Sequence, residues 1–251
     1  MIDSSKATKI EVRTDDGVAR CWVTRPRTAA GPLPGLLMYP DAGSVRPVTV
    51  DMATRAAELG YIVLQPEMFY RAGDYPPFDP KTVFGDPPER ERLMKLIRSL
   101  DNTTAMRDAK HWLRALSEVD GVRPGPVGTF GYCMGGRLAF ATAGAYPDRV
   151  AAVACNHGGG IATESQDSPH LMASKIQARL YFGIADADPS CPPAQQAKLV
   201  DALATHHLRF SIDHFAKASH GYAVPDFPVF DAAAAERHWA QMADLWKSAF
   251  F

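Results

Sequence analysis

Three side-chain types in this sequence could together carry acyl chemistry: a sulfur nucleophile, an imidazole base and a carboxylate to orient the base. Cys133 stands in "VGTFGYCMGGRLAF" (127–140), with Gly131 two residues before it and Gly135 two after. An apolar run leads into this stretch and a helix-like run leads out of it. A residue on a sharp strand-to-helix turn takes a strained backbone, so its neighbours at those distances must be small. Such a turn lifts the sulfur clear of the sheet and sets it at a helix amino terminus, whose positive end favours the nucleophilic thiolate. The backbone N–H of Met134 would then point at an oxyanion formed nearby. The same residues also fit a buried structural cysteine beside packing glycines. A redox-sensing thiol is a third reading, which leaves the glycines unexplained.

A nucleophile on this kind of turn is followed along the chain by its acid and then by its histidine. His220, in "KASHGYAVPD", comes just after the final predicted strand, with Gly221 beside it. His111, His206, His207 and His238 fall on predicted helices, His214 within a strand and His170 in a polar loop. His157, in "NHGGG", reads as a tight turn after a strand. That stretch looks like the glycine-rich oxyanion loop of some esterases, but it follows the nucleophile where theirs precedes it. The acid should end the strand "ARLYFGIA", where "GIADADPSCPP" offers Asp186 and Asp188. The spacing to Pro192 favours Asp188, which would hold the His220 ring and stabilise its charged form.

These residues need a sheet to present them. "TKIEVRT" and "GVARCWVTRP" read as two short strands joined at Asp16-Gly17. "GLLMYP" and "YIVLQPEMF" read as buried strands, separated by the helix "VDMATRAAELG". After residue 100 come the helix "NTTAMRDAKHWLRALSEV", with caps at Asp101 or Asn102, and a regular alternation. Its strands are "GPVGTFGY", "VAAVACNH", "ARLYFGIA" and "LRFSIDHF"; its helices are "GGRLAFATAGAY", "PAQQAKLVDALATHH" and a closing "DAAAAERHWAQMADLWKSAF". The pattern predicts one α/β domain over 1–251, with a mostly parallel central sheet and helices on both faces. Residues 70–100 break the pattern with five prolines, several aromatics and a charged helical tail. We read them as a cap or active-site loop in which Tyr70, Tyr75, Phe78 and Phe84 seek burial.

Composition narrows the function classes. A formal charge of −1 with scattered basic residues gives no bulk attraction to nucleic acid or an anionic membrane. No apolar run reaches membrane-spanning length, and the polar amino terminus lacks the core of a signal peptide. Cys21, Cys133, Cys155 and Cys191 show no zinc-ligand spacing and read as reduced thiols in a cytoplasmic setting. A small-molecule substrate is expected, with no metal or organic cofactor; the oligomeric state is not readable.

The blocks "GYCMGGRLAF", "DADPSCPP" and "SHGY", in this order and spacing, resemble the dienelactone hydrolase (carboxymethylenebutenolidase) family, a branch of the α/β-hydrolase fold. The resemblance covers nearly the whole chain. It implies hydrolysis of a small ester or lactone, with Cys133 as nucleophile, His220 as base and Asp188 as its partner. In "YPDAGSVRP" it sets Asp41 where these enzymes carry a glutamate that contacts the resting thiol, one methylene longer than here. The neighbouring amide of Ala42 would be the second oxyanion donor beside Met134. Asp41 could equally be a loop acid paired with Arg46. Members specialised for a dienelactone carboxylate carry an arginine shortly after the histidine, and "HGYAVPD" has none. Candidates for substrate contact are therefore Asp41, Arg46, Tyr70 and Arg71, with Arg90 and Arg92 as further cations in the long segment. General carboxylesterase or thioesterase chemistry on the same site, and a non-catalytic ligand-binding role, stay open as alternatives.

Overall fold

The computed structural model describes residues 2–3, 5–28 and 31–251. Two strands, β1 (Thr8–Thr14) and β2 (Gly17–Thr24), form an antiparallel hairpin whose last pair is Thr14 and Gly17. The loop is thus Asp15–Asp16, one residue earlier than the Asp-Gly signal suggested. Gly17, at φ +145°, opens the second strand. Six more strands follow: β3 (Gly35–Tyr39), β4 (Ile62–Pro66), β5 (Val127–Tyr132), β6 (Val150–Asn156), β7 (Arg179–Ala187) and β8 (Phe210–Ser219). They make one eight-stranded sheet in the order β1-β2-β4-β3-β5-β6-β7-β8. The pairs β1/β2 and β2/β4 are antiparallel and every other pair is parallel.

The apolar runs predicted as buried strands are covered on both faces because successive side chains point to opposite sides. Leu37 and Tyr39 of β3 face one layer of the core, while Leu36 and Met38 face the other. Helices α2 (Pro87–Arg98), α3 (Asn102–Glu118), α4 (Met134–Ala145) and α5 (Pro193–Thr205) supply the first layer through residues such as Leu93, Trp112, Phe140 and Leu199. The opposite layer comes from α1 (Pro47–Glu58) and α6 (Ala232–Phe250), with Met52, Met242 and Trp246 fully or almost fully buried. Asp101 caps α3 by accepting the Thr104 N–H at 2.7 Å. No helix among the described residues is long and apolar enough to cross a membrane.

Three boundaries differ from the sequence expectation. Helix α1 begins at Pro47, three residues early, since proline has no N–H to lose at a helix start. Strand β8 runs on to Ser219 through an irregularity opposite Ala185–Ala187, which is where the site begins. The expected polar loop after β6 contains a 3-10 turn over Pro169–Lys175.

Candidate active site

The bend after β5 is as tight as its sequence required. Cys133 has φ 55° and ψ −123°, a left-handed conformation that costs a non-glycine residue about 1–3 kcal/mol. A Cβ on Gly131 would lie 2.3 Å from the Gly135 carbonyl oxygen, and one on Gly135 would lie 2.3 Å from the carbonyl oxygens of Tyr39 and Pro40. The two glycines therefore let the start of α4 press against the ends of β3 and β5. Cys133 is half-buried and reaches a cavity, unlike Cys21, Cys155 and Cys191, which are buried. Burial pushes the Cys191 thiol up to about 12 and those of Cys21 and Cys155 higher still, so they remain protonated.

The candidate acid and base emerge from adjacent strand ends. The register pairs Ala187 of β7 with Ser219 of β8, so the next residues, Asp188 and His220, leave the sheet side by side. His220 Nδ1 lies 2.7 Å from Asp188 Oδ2. Asp186, the other acid considered, is exposed, whereas Asp188 is buried. The second oxygen of Asp188 accepts hydrogen bonds from the Ser190 hydroxyl (2.6 Å) and amide (2.8 Å). Ser190 Oγ also lies 3.0 Å from His220 Nδ1, a contact no sequence motif announced. Burial pushes the Asp188 carboxyl up, but hydrogen bonds and charge from His220, helped by Ser190, hold it below its ordinary value. Burial likewise opposes a charged His220. The negative charge available at Cys133 and the bond to Asp188 outweigh it and raise the imidazole to about 11.

His157, just beyond the end of β6, touches both Cys133 and His220. Its Nδ1 accepts the Cys133 N–H at 3.1 Å, and its ring meets that of His220 edge to face with centroids 5.2 Å apart. The backbone at φ 37° turns the ring inward. Burial, then the neighbouring His220 and His238, hold it well below the usual imidazole range, so it stays neutral. The tight turn was legible in "NHGGG"; the inward ring was not.

The loop after β3 borders the same cavity as the thiol. Ala42 and Gly43 line the same cavity as Cys133 and His220. Gly43 N–H donates to Asp41 Oδ1 at 2.7 Å, while the amides of Ala42 and Met134 make no hydrogen bond outside their own segments among the described residues. Asp41 lines the cavity and is ion-paired to Arg46, whose Nη1 lies 3.0 Å from its Oδ1. Arg46 also grips Asp226 with two hydrogen bonds, of 2.7 and 2.8 Å. Burial works against the Arg46 charge, but the two carboxylates more than compensate and raise its pKa.

The remaining candidates for substrate contact are corrected by this geometry. Arg46 does not line the cavity because its guanidinium is spent on Asp41 and Asp226. Arg71 is tied to Asp108 and Asp16, and Tyr70 donates to Asp108 at 2.9 Å, so both face the β1–β2 hairpin and α3 rather than the thiol. Arg92 lies over the Phe78 ring and bonds Glu89, and Arg90 points to solvent. Phe78 is buried as expected, but Phe84 is 60% exposed at the cavity mouth. Among the described residues no cluster of histidine, cysteine and acidic side chains could hold a metal ion.

Comparison with known proteins identifies the family. A sequence model of the dienelactone hydrolase family matches residues 20–250. The chain is 26% identical over 224 residues to a Synechocystis protein named "Putative carboxymethylenebutenolidase", covering 88% of each chain. It is 26% identical over 226 residues to an Escherichia coli K12 protein of the same name, covering 89% of this chain and 80% of that one. Among solved structures it superposes on a dienelactone hydrolase-like protein from Klebsiella pneumoniae with TM-score 0.83 at 21% identity, covering 96% and 98% of the two chains. A dienelactone hydrolase-like promiscuous phosphotriesterase from metagenomic libraries gives TM-score 0.79 at 22% identity, covering 98% and 100%. With a family match spanning almost its full length, the chain belongs to the dienelactone hydrolase family of α/β-hydrolase-fold ester hydrolases.

Proposed function

We propose that the protein hydrolyses small esters or lactones through Cys133, His220 and Asp188, with a thioester intermediate. The observation that carries this reading is His220, bonded to buried Asp188 on one nitrogen and raised in pKa by Cys133. With His220 holding the thiol proton, Sγ attacks the carbonyl carbon, and the carbonyl electron pair moves to oxygen. The amides of Met134 and Ala42 stabilise that oxyanion. Collapse of the tetrahedral adduct breaks the C–O bond, and His220 returns its proton to the departing alcohol or enol. Water then attacks the thioester with His220 as base, releasing the acid and restoring the thiol. Asp188 keeps the ring in the productive tautomer throughout and does not itself take the proton. Residues 78–97 form one wall over the thiol, which supports a capping role for this segment.

The test is turnover of a panel of lactones and activated esters by the wild type and by Cys133→Ala, with mass spectrometry of the quenched enzyme. Turnover should fall by about a thousandfold or more in the variant. The wild type should carry an acyl mass on the peptide containing residue 133. Undiminished activity in Cys133→Ala overturns the mechanism.

A further inference from the structure

The cavity above Cys133 has a volume of about 360 Å³, at the lower end of the ~300–1,000 Å³ range for small-molecule pockets. Its inner wall is Phe78, Val83 and Leu93, all buried. Phe227 and Pro228 close the opposite side, and Phe84 and Val229 stand exposed at the mouth. Exposed apolar side chains around a concave apolar surface are where an apolar ligand gains most by leaving water.

The charges near the thiol point the same way. Asp41 and Asp226 share the single guanidinium of Arg46, so that cluster carries a formal charge of −1. Cys133 and His220 with one proton to share are neutral as a pair, so with Asp188 that group carries a formal −1 as well. Among the described lining residues the cationic groups are His220, whose charge is balanced by its partner Asp188, and Lys81, whose side chain is exposed. A carboxylate entering this cavity would lose its water beside two negative clusters, whose buried cations, Arg46 and His220, are already paired with Asp41, Asp226 and Asp188.

Building on the hydrolytic reading, we propose that this site selects neutral esters or lactones with an uncharged apolar acyl group and discriminates against acyl groups ending in a carboxylate. The acyl part is the portion that stays on the sulfur while water attacks, so the buried wall serves it. The alcohol departs through the mouth.

Phenyl hexanoate, phenyl acetate and the monophenyl ester of adipic acid test this. The first and third share chain length and leaving group and differ by a terminal methyl against a carboxylate. For the wild type, kcat/KM for the hexanoate should exceed that for the acetate by about tenfold or more, given roughly 0.8 kcal/mol per buried methylene. It should exceed that for the adipate monoester by at least as much. Phe84→Ala, at an exposed position, should shrink the hexanoate-to-acetate ratio. Calorimetric binding of the three esters to Cys133→Ala should give the same ranking without turnover. Equal or better use of the adipate monoester overturns the proposal, and if that preference vanishes in Lys81→Ala the cavity is an anion site. Failure of every ester to turn over would instead remove the hydrolytic reading, while the binding ranking would still decide the ligand class.

Discussion

At the residue scale the informative pair is Cys133 and His220. The imidazole is raised to about 11 against the effect of its own burial, and Cys133 supplies the largest favourable contribution. Removing the sulfur while keeping Asp188 should therefore lower the His220 pKa. In Cys133→Ala the ring should titrate below its wild-type value, followed by the His220 Cε1–H resonance in an NMR titration. An unchanged midpoint would mean that Asp188 alone sets the value. The sign for stability follows from the same direction. The folded value lies above the roughly 6.5 of an unfolded chain, so the interaction contributes fully below about pH 6.5. That contribution is lost as pH rises towards about 11. Cys133 and His220 were legible in the sequence because a glycine-flanked elbow and a post-strand histidine are local patterns. The spacing to Pro192 favoured Asp188 over Asp186, and the structure buries Asp188 beside His220 through the β7–β8 register, which local sequence does not encode.

At the scale of elements, what matters is where strand ends lie and how closely helices approach them. The irregularity opposite Ala185–Ala187 lets β8 run to Ser219, so that acid and base leave the sheet together. Bulges placed beside active sites commonly re-aim side chains in this way. The alternation of strands and helices gave the element order and the parallel core from sequence alone. It could not give the length of β8, because pairing beyond Phe215 depends on a neighbouring strand. The approach of α4 to β3 supplies the test at this scale. A methyl at Gly135 would meet two backbone oxygens at 2.3 Å, and neither can rotate away. Gly135→Ala should therefore destabilise the fold by about 1–3 kcal/mol or more, read as a lower urea midpoint. It should also cut kcat, because relief of the clash moves the Ala42 loop away from the Met134 amide. Wild-type stability with full activity would contradict this account of the elbow glycines.

Over the whole molecule, the site depends on contacts between segments far apart in sequence, and these are what pattern reading misses. Arg71 stands in a proline-rich segment near the expected cap, which made it look available. Its partners Asp16 and Asp108 come from the hairpin loop and from α3, and nothing in the local sequence announces them. Arg46 behaves in the same way with a closer bearing on catalysis. It joins the loop carrying Ala42 to Asp226, 180 residues away, in the loop that carries Phe227 and Pro228 to the cavity. Asp41 is only 1% exposed, so losing its guanidinium partner strands a buried carboxylate. Breaking one side of a buried pair costs about 3–5 kcal/mol. Arg46→Leu should lower stability by that order in urea unfolding and reduce kcat, since the oxyanion loop loses its tie. Asp226→Asn leaves the Asp41–Arg46 pair intact at a partly exposed position. It should cost about 1 kcal/mol or less, with its main effect on KM through the Phe227 wall. The two variants thus separate the arginine's support of the oxyanion loop from its support of the cavity wall. Equal losses in both would show a single rigid clamp instead.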